Sequence, residues 1–296
     1  MTPPVTNRPA VLVTGVSSGI GQAIAEDLMR HGYRVFGSVR RSPDADELRA
    51  TWGEAFTPLL FDVTDAAAVE QSVAVVEAAL DGRGLKGLVN NAGVSFAGPL
   101  QHQSLDEIRQ TFEVNLFGLL GVTRAFLPLL GARHGARHPP GRIVNIGSVS
   151  GAITVPFMAA YAGSKHAVEA VTQGLRRELK IYGIEVSAIE PGFIRSRLFE
   201  KSAASKPLER YGDTDYAEIW HRFNQSLSKQ EDAAKPASLV TRAVLHAIES
   251  PKPRTRYPLD SIWHVGRYLP DRVFDRLIFK ALGIDRLMRP KLGGTE

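Results

Sequence analysis

The chain has 296 residues, a formal charge of +5, 44% hydrophobic and 23% charged residues, and no cysteine. That is the composition of an ordinary globular protein, long enough to bury a sizeable core as one unit. It excludes disulfides, cysteine-ligated zinc and thiol catalysis, and it suits a reducing compartment. No apolar run reaches the ~18 residues of a membrane-spanning helix. Residues 1–9 are polar and proline-rich, without a secretory apolar segment. They read as a disordered lead-in, and the cytoplasm is the expected compartment. From Pro251 onward ten Lys/Arg stand against five Asp/Glu, so residues 1–250 are balanced and the tail carries the whole excess. The excess reads first as a solvated basic surface and second as an attraction for an anionic membrane or partner. The basic residues are not interleaved into a nucleic-acid-binding motif.

Residues 10–14 are a short apolar run, the pattern of a strand buried on both faces. A glycine turn and a helix over 20–30 follow. Further strands are expected at 33–39, 57–61, 85–90, 142–146 and 185–189, with a last short one at 256–259. Helices are expected at 66–80, 105–130, 161–182 and 236–249. Strand and helix alternate, so right-handed crossovers predict an α/β doubly wound parallel sheet of the Rossmann type. Its ligand belongs at the carboxyl ends of the strands. Residues 132–140 are a surface excursion rich in His, Arg, Gly and Pro. Residues 195–232 are polar, mixed in period and long for a connection, which points to a substrate lid. Residues 260–296 read as a basic extension of the single domain spanning 10–259, with two short amphipathic helices separated by Pro270.

The glycines at 15, 19 and 21 follow a strand and open a helix. Gly15 permits a tight turn, and Gly19 and Gly21 let the backbone approach a diphosphate. The helix opening at Ile20 turns its N-terminal N–H groups to the phosphate charge, and Ser17 and Ser18 add hydroxyl donors. At the end of the second strand a carboxylate would bind the ribose 2′-hydroxyl of NAD. The chain offers Val39-Arg40-Arg41 there, with no carboxylate before Asp44. Two guanidinium groups suit a 2′-phosphate, so NADP is expected rather than NAD. Asp62, just past the third strand, is placed for the adenine amine, with Val63 flanking the ring. Asn90, Ala92 and Gly93 form another close-approach turn.

Tyr161 and Lys165 are four residues apart, and Ser148 lies thirteen before the tyrosine. Four residues put the lysine on the same helical face as the tyrosine. A phenol titrates near ~10, and an ammonium one turn away favours phenolate and lowers that value. Tyr161 is the expected general acid/base and Lys165 its tuner. Ser148, at the end of the fifth strand, is expected to hydrogen-bond the substrate oxygen. Asn115 stands inside a long helix against its propensity. Pro191, Gly192 and Ile194 should border the nicotinamide carboxamide. Val155, Phe157 and Met158 before the tyrosine, with Phe193, Leu198 and Phe199 after the sixth strand, are the candidate apolar wall. Together they favour a lipophilic ligand. The histidines lack ligand spacing, so no metal site is expected.

Thr14-Gly15-x-x-x-Gly19-Ile20-Gly21, Asn90-Asn91-Ala92-Gly93, Asn115, Ser148, Tyr161-x-x-x-Lys165 and Pro191-Gly192 resemble the short-chain dehydrogenase/reductase family, in order, over residues 10–195. The resemblance implies NADP(H)-dependent hydride transfer between nicotinamide and a carbonyl or secondary alcohol. It also implies that Lys165 holds the nicotinamide ribose and that Asn115 helps hold a water in a proton relay to the lysine. Ser196 stands where relatives often carry threonine, keeping a hydroxyl for the cofactor. Relatives commonly pair into homodimers or homotetramers. Ile189-Glu190-Pro191-Gly192 and the tail most resemble members acting on hydroxysteroids, retinoids and other lipophilic alcohols. The rival is a non-catalytic dinucleotide-sensing regulator on the same fold; loss of Ser148, Tyr161 or Lys165 would have favoured it, and all three are present. Two readings of residues 261–282 stay open. They lie on a membrane surface with arginines at the head groups, or they pack on the body or another subunit.

Overall fold

The computed structural model describes residues 4–195 and 208–287. Seven strands form one parallel sheet: β1 (Ala10–Val13), β2 (Arg34–Val39), β3 (Phe56–Leu60), β4 (Gly87–Asn90), β5 (Arg142–Ile146), β6 (Glu185–Glu190) and β7 (Arg256–Pro258). Their order is β3-β2-β1-β4-β5-β6-β7, with every pairing parallel. The chain winds outward from β1 in both directions, so the order reverses between β1 and β4. A crevice opens there at the carboxyl ends of the strands. Before β1, Val5–Asn7 make one 3-10 turn.

Successive strand side chains point to opposite faces, and the sheet sorts its apolar residues into two cores. Val11, Val13, Val89, Val144 and Ile189 enter one; Leu12, Phe36, Leu88, Ile143 and Val186 enter the other. The first core is covered by α1 (Gly19–Arg30), α2 (Ser42–Trp52) and a later helix, Ser238–Glu249, through Ile24, Leu28, Leu48, Val244 and Ile248. The second is covered by α3 (Ala66–Leu80) and α4 (Leu105–Leu130) through Val76, Leu80, Val122 and Phe126, with α5 (Ala159–Glu178) beside them. Asp65 Oδ1 caps α3 by accepting from the Ala68 N–H at 3.0 Å, and Ser104 caps α4 through Glu107. α4 is long and apolar enough to cross a membrane, contrary to the sequence expectation. Its apolar face is instead spent on the second core.

α2 is absent from the sequence expectation. Only Ala45 and Leu48 of this helix are buried, too few to show a helical period. Residues 208–232, expected within the lid, form a 3-10 turn at Leu208–Tyr211 and α6 (Ala217–Asp232). Ser238–Glu249 is α7, followed by α8 (Ser261–Gly266), α9 (Asp271–Leu282) and α10 (Ile284–Leu287). α6 presses Trp220 and Phe223 against Phe157, Met158 and Tyr161 to make a third, aromatic cluster. Ile278, Leu282 and Ile284 of the tail pack into the same cluster. This face of the tail therefore sits on the body.

Asn90 is corrected by the structure. Its side chain turns into the sheet interior, donating to Thr123 Oγ1 and Asn145 Oδ1, both at 2.9 Å. Asn145 continues the chain to Thr172 Oγ1 at 2.9 Å. This buried network ties β4 and β5 to α4 and α5 and leaves Asn90 off the cofactor turn. Removing it strands buried partners, so Asn90→Ala should cost about 1–3 kcal/mol. A urea midpoint should fall while cofactor affinity holds; an unchanged midpoint with weakened cofactor binding would contradict this assignment.

Candidate active site

The crevice at the strand ends is a cavity of about 490 Å³, running from Ser17, Gly19 and Arg40 to Ser148, Tyr161 and Lys165. At the β1 end Gly15 and Gly19 hold φ of +72° and +64°, a region that favours glycine. A Cβ at Gly21 would run into Gly15 O and Asn91 Nδ2. Gly15 N–H donates to Ser38 Oγ at 2.9 Å. Thr14 Oγ1 accepts from the N–H groups of Asn91 and Ala92, at 2.9 and 3.0 Å. Asn91 Nδ2 donates back to Thr14 O and Gly15 O, at 2.9 and 3.2 Å. Thr14, Ser38 and Asn91 are thus the supports of the glycine turn. Sequence reasoning passed over Asn91, although a strand-end amide beside a glycine turn was a usable signal.

Ser17, Ser18, Gly19, Ile20 and Gly21 line the cavity, where the N-terminus of α1 opens onto it. The first N–H groups of a helix have no intrahelical partner and face an anion well. Asp62, Val63, Ala92 and Gly93 line the same wall. Asp62 Oδ1 accepts from Thr64 N–H and Oγ1–H, at 3.0 and 2.8 Å. The two arginines part company. Arg40 borders the cavity, its guanidinium 3.8 Å from Asp62 Oδ2. Arg41 is off the wall, hydrogen-bonded to Asp44 through Nε and Nη2. The cradle therefore fits a diphosphate at the glycine turn, with one cation, Arg40, set for a further phosphate.

At the other end Ser148 follows β5 and accepts from Ser150 N–H at 3.0 Å. Its hydroxyl meets that of Tyr161. Tyr161 and Lys165 are only 5% and 6% exposed. Lys165 Nζ donates to Ile146 O at 2.8 Å and lies 5.8 Å from the Tyr161 ring centre. Burial draws the lysine down to about 8, against the charge of Glu169, which holds it up. Burial also pushes the Tyr161 phenol above its ordinary value, with the Ser148 bond pulling the other way. The net direction is upward, opposite to the lowering expected from Lys165, and burial is its largest cause.

Asn115 lies in a π-helical turn, Glu113–Gly118, inside α4, a distortion frequent at functional sites. Its Oδ1 accepts from Val94 N–H at 2.8 Å, and its Nδ2 donates to Val94 O and Ser164 Oγ, at 2.9 and 3.0 Å. It clamps the chain after Gly93 to α5. Pro191, Gly192 and Ile194 line the cavity. Pro191 O accepts from Val149 N–H at 2.9 Å, and Phe193 O from Lys235 N–H at 3.0 Å. Phe157 and Met158 are not on the cavity wall. They are buried in the aromatic cluster, with Val155 packed against it. Phe157 takes a φ of +67° and sets its ring edge-on to Trp220 at 5.5 Å and Phe223 at 5.3 Å. Phe193 is also off the wall. Ser196, Leu198 and Phe199 lie outside the described residues.

Comparisons with known proteins agree with this geometry. A family model described as short chain dehydrogenase matches residues 9–207. An NADPH-dependent 3-dehydrocapnine reductase of Ornithobacterium rhinotracheale is 40% identical over 275 residues, covering 92% of this chain and 96% of that protein. Retinol dehydrogenase 16 of Mus musculus is 33% identical over 286 residues, covering 91% and 87%. Among solved structures, a short-chain dehydrogenase from Streptomyces avermitilis superposes with a TM-score of 0.72 at 28% identity, covering 96% of this chain and 99% of that one. With its glycine cradle, its Ser148-Tyr161-Lys165 group and these relatives along nearly its whole length, the chain belongs to the short-chain dehydrogenase family.

Proposed function

We propose that the protein is an NADPH-dependent reductase of lipophilic ketones or aldehydes, acting in reverse as an alcohol dehydrogenase. One observation carries this reading: a single cavity joins a phosphate cradle to a buried serine, tyrosine and lysine. The nicotinamide coenzyme supplies the hydride. Ser148 holds the carbonyl oxygen by a hydrogen bond, and the Tyr161 hydroxyl gives that oxygen a proton as charge develops on it. Burial pushes the phenol above its ordinary value, which suits a proton donor in the reductive direction. Lys165, fixed to Ile146 O, supplies positive charge beside the phenolate that results. The names of the retinol dehydrogenase relatives support an apolar substrate. The choice of NADPH rests on Arg40, on the NADPH-dependent relative, and on a ketoreductase solved with NADPH that superposes with a TM-score of 0.71 at 28% identity.

Loss of NADPH absorbance with a panel of ketones and aldehydes tests the activity. Tyr161→Phe should lower kcat by about 10²–10⁴-fold and leave cofactor affinity intact. NADPH binding without turnover on any member of the panel would favour the regulator instead. Arg40→Ala should weaken NADPH binding by about tenfold or more and spare NADH. Arg41→Ala, whose guanidinium is held by Asp44, should change little; equal losses at both positions would contradict the assignment.

The outward face of the tail supports a weak membrane-surface contact as part of the same reading. Val265, Tyr268 and Leu277 are exposed there, among Arg267, Arg272 and Arg276. The full chain should co-sediment with anionic vesicles and less with neutral ones; absence from both pellets would refute the contact.

A further inference from the structure

Behind Lys165 the fold gathers two buried carboxyls and a half-buried guanidinium that the proton transfer above does not use. Glu169 lies on α5 one turn beyond the lysine and is 6% exposed. Glu190 ends β6, directly before Pro191, and is 1% exposed. Arg256 opens β7. Its Nε lies 3.0 Å from Glu169 Oε2 and 3.7 Å from Glu190 Oε1. Trp263 of α8 lies against the Glu190 carboxyl, and the two carboxyls face each other. Among the described residues, Lys165 on α5 is the further ionisable group that faces Glu169. Beyond Gly192 stands Asp260, paired with Lys235 at 3.1 Å.

The cluster reaches each support of the reacting site. A Cβ at Gly147 would stand 3.2 Å from Glu169 Oε1, and one at Gly151 would stand 3.1 Å from Glu169 Cγ. The two glycines flanking the Ser148 turn thus make room for this carboxyl. Glu190 O accepts from Leu259 N–H at 3.0 Å, fixing the strand that leads into Pro191 and Gly192 on the cavity wall. Glu169 also faces Lys165 closely enough for its charge to act on the ammonium.

Glu169 Oε1 and Glu190 Oε2 are both buried without a hydrogen-bond partner among the described residues, and the two carboxyls face each other. Two carboxylates so placed repel in a low-dielectric interior, and one proton bound between them relieves the repulsion and satisfies both oxygens. Building on the reading of Tyr161 and Lys165 as proton-transfer machinery, we propose that Glu169 and Glu190 share one proton beside Arg256. They act as a positioning pair that keeps Lys165 charged and the Ser148 and Pro191 turns in place. The proton resides on Glu190, because the guanidinium stands nearer Glu169. Burial, and then the neighbouring Glu169, push the Glu190 carboxyl well above the usual carboxylate range.

Glu169 charge raises the pKa of Lys165, and reduction is lost as pH rises through that pKa. Glu169→Gln should therefore move the alkaline limb of the kcat profile to lower pH, by about one unit, with KM unchanged. Glu190→Gln, a permanent stand-in for the protonated acid, should keep the limb where the wild type has it. An unmoved limb in Glu169→Gln, or equal movement in both variants, overturns the proposal. Infrared spectroscopy of the wild-type protein at neutral pH reads the proton directly and needs neither turnover nor the Glu169 variant. A carboxylic acid C=O band present in the wild type and missing in Glu190→Gln supports the shared proton, and no such band refutes it. Failure of the underlying reading would show differently, as an inactive wild type or an active Tyr161→Phe.

Discussion

The site depends on a stitch between the diverging ends of β1 and β4. The strands pair as far as Val13 and Val89, and one further backbone bond runs from Thr14 N–H to Val89 O at 3.0 Å. Beyond that the ladder stops, because the chain leaves toward opposite sides of the sheet. Side chains replace it: Thr14 Oγ1 takes two N–H groups from the β4 side, and Asn91 Nδ2 returns two bonds to the β1 side. The backbone groups of the turn are satisfied without filling the crevice. Gly21 can then come so close to Gly15 and Asn91 that no side chain fits. The helix α1 thereby begins at the floor of the cavity, with its N-terminal dipole aimed inward.

The reacting end follows a different logic, in which burial sets the chemistry. Tyr161 and Lys165 sit on the first turns of α5, and the helix buries both. Desolvation favours neutral phenol and draws the lysine toward neutral pH. Carbonyl O of Ile146 and the charge of Glu169 oppose that pull on the lysine. The aromatic cluster adds steric order. Phe157 sits in a left-handed backbone conformation, a strain of order 1–3 kcal/mol that persists only where surroundings hold it. Its ring contacts with Trp220 and Phe223 do so, and the tail closes the cluster from outside.

Much of this was readable in the chain. Strands such as 142–146 and 185–189 declare themselves as short apolar runs between turn signals. The glycine spacing and the pair Tyr161 and Lys165 are local patterns, whose meaning survives without tertiary knowledge. What escaped depends on distant partners. Asn91 matters because of Thr14, 77 residues earlier. Asn90, its neighbour, points the opposite way and joins Asn145, 55 residues later. The unequal placement of Arg40 and Arg41 turns on Asp44, which α2 brings round, and that helix is too sparsely apolar to be seen from periodicity. Phe157 and Met158 were legible as apolar but not as cluster rather than wall, because α6 supplies the covering rings. Glu169 meets Arg256 across 87 residues, beyond any local pattern.

The account stands on one geometry, a dinucleotide laid along the crevice from Arg40 to Tyr161. A crystal structure with NADP and a substrate-like alcohol tests it most directly. It should show the 2′-phosphate on Arg40, the diphosphate over Gly19 and Gly21, and the alcohol oxygen within hydrogen-bonding distance of both Ser148 and Tyr161. A nicotinamide ring seated elsewhere, with the Tyr161 hydroxyl shut away from it by the aromatic cluster, would contradict it.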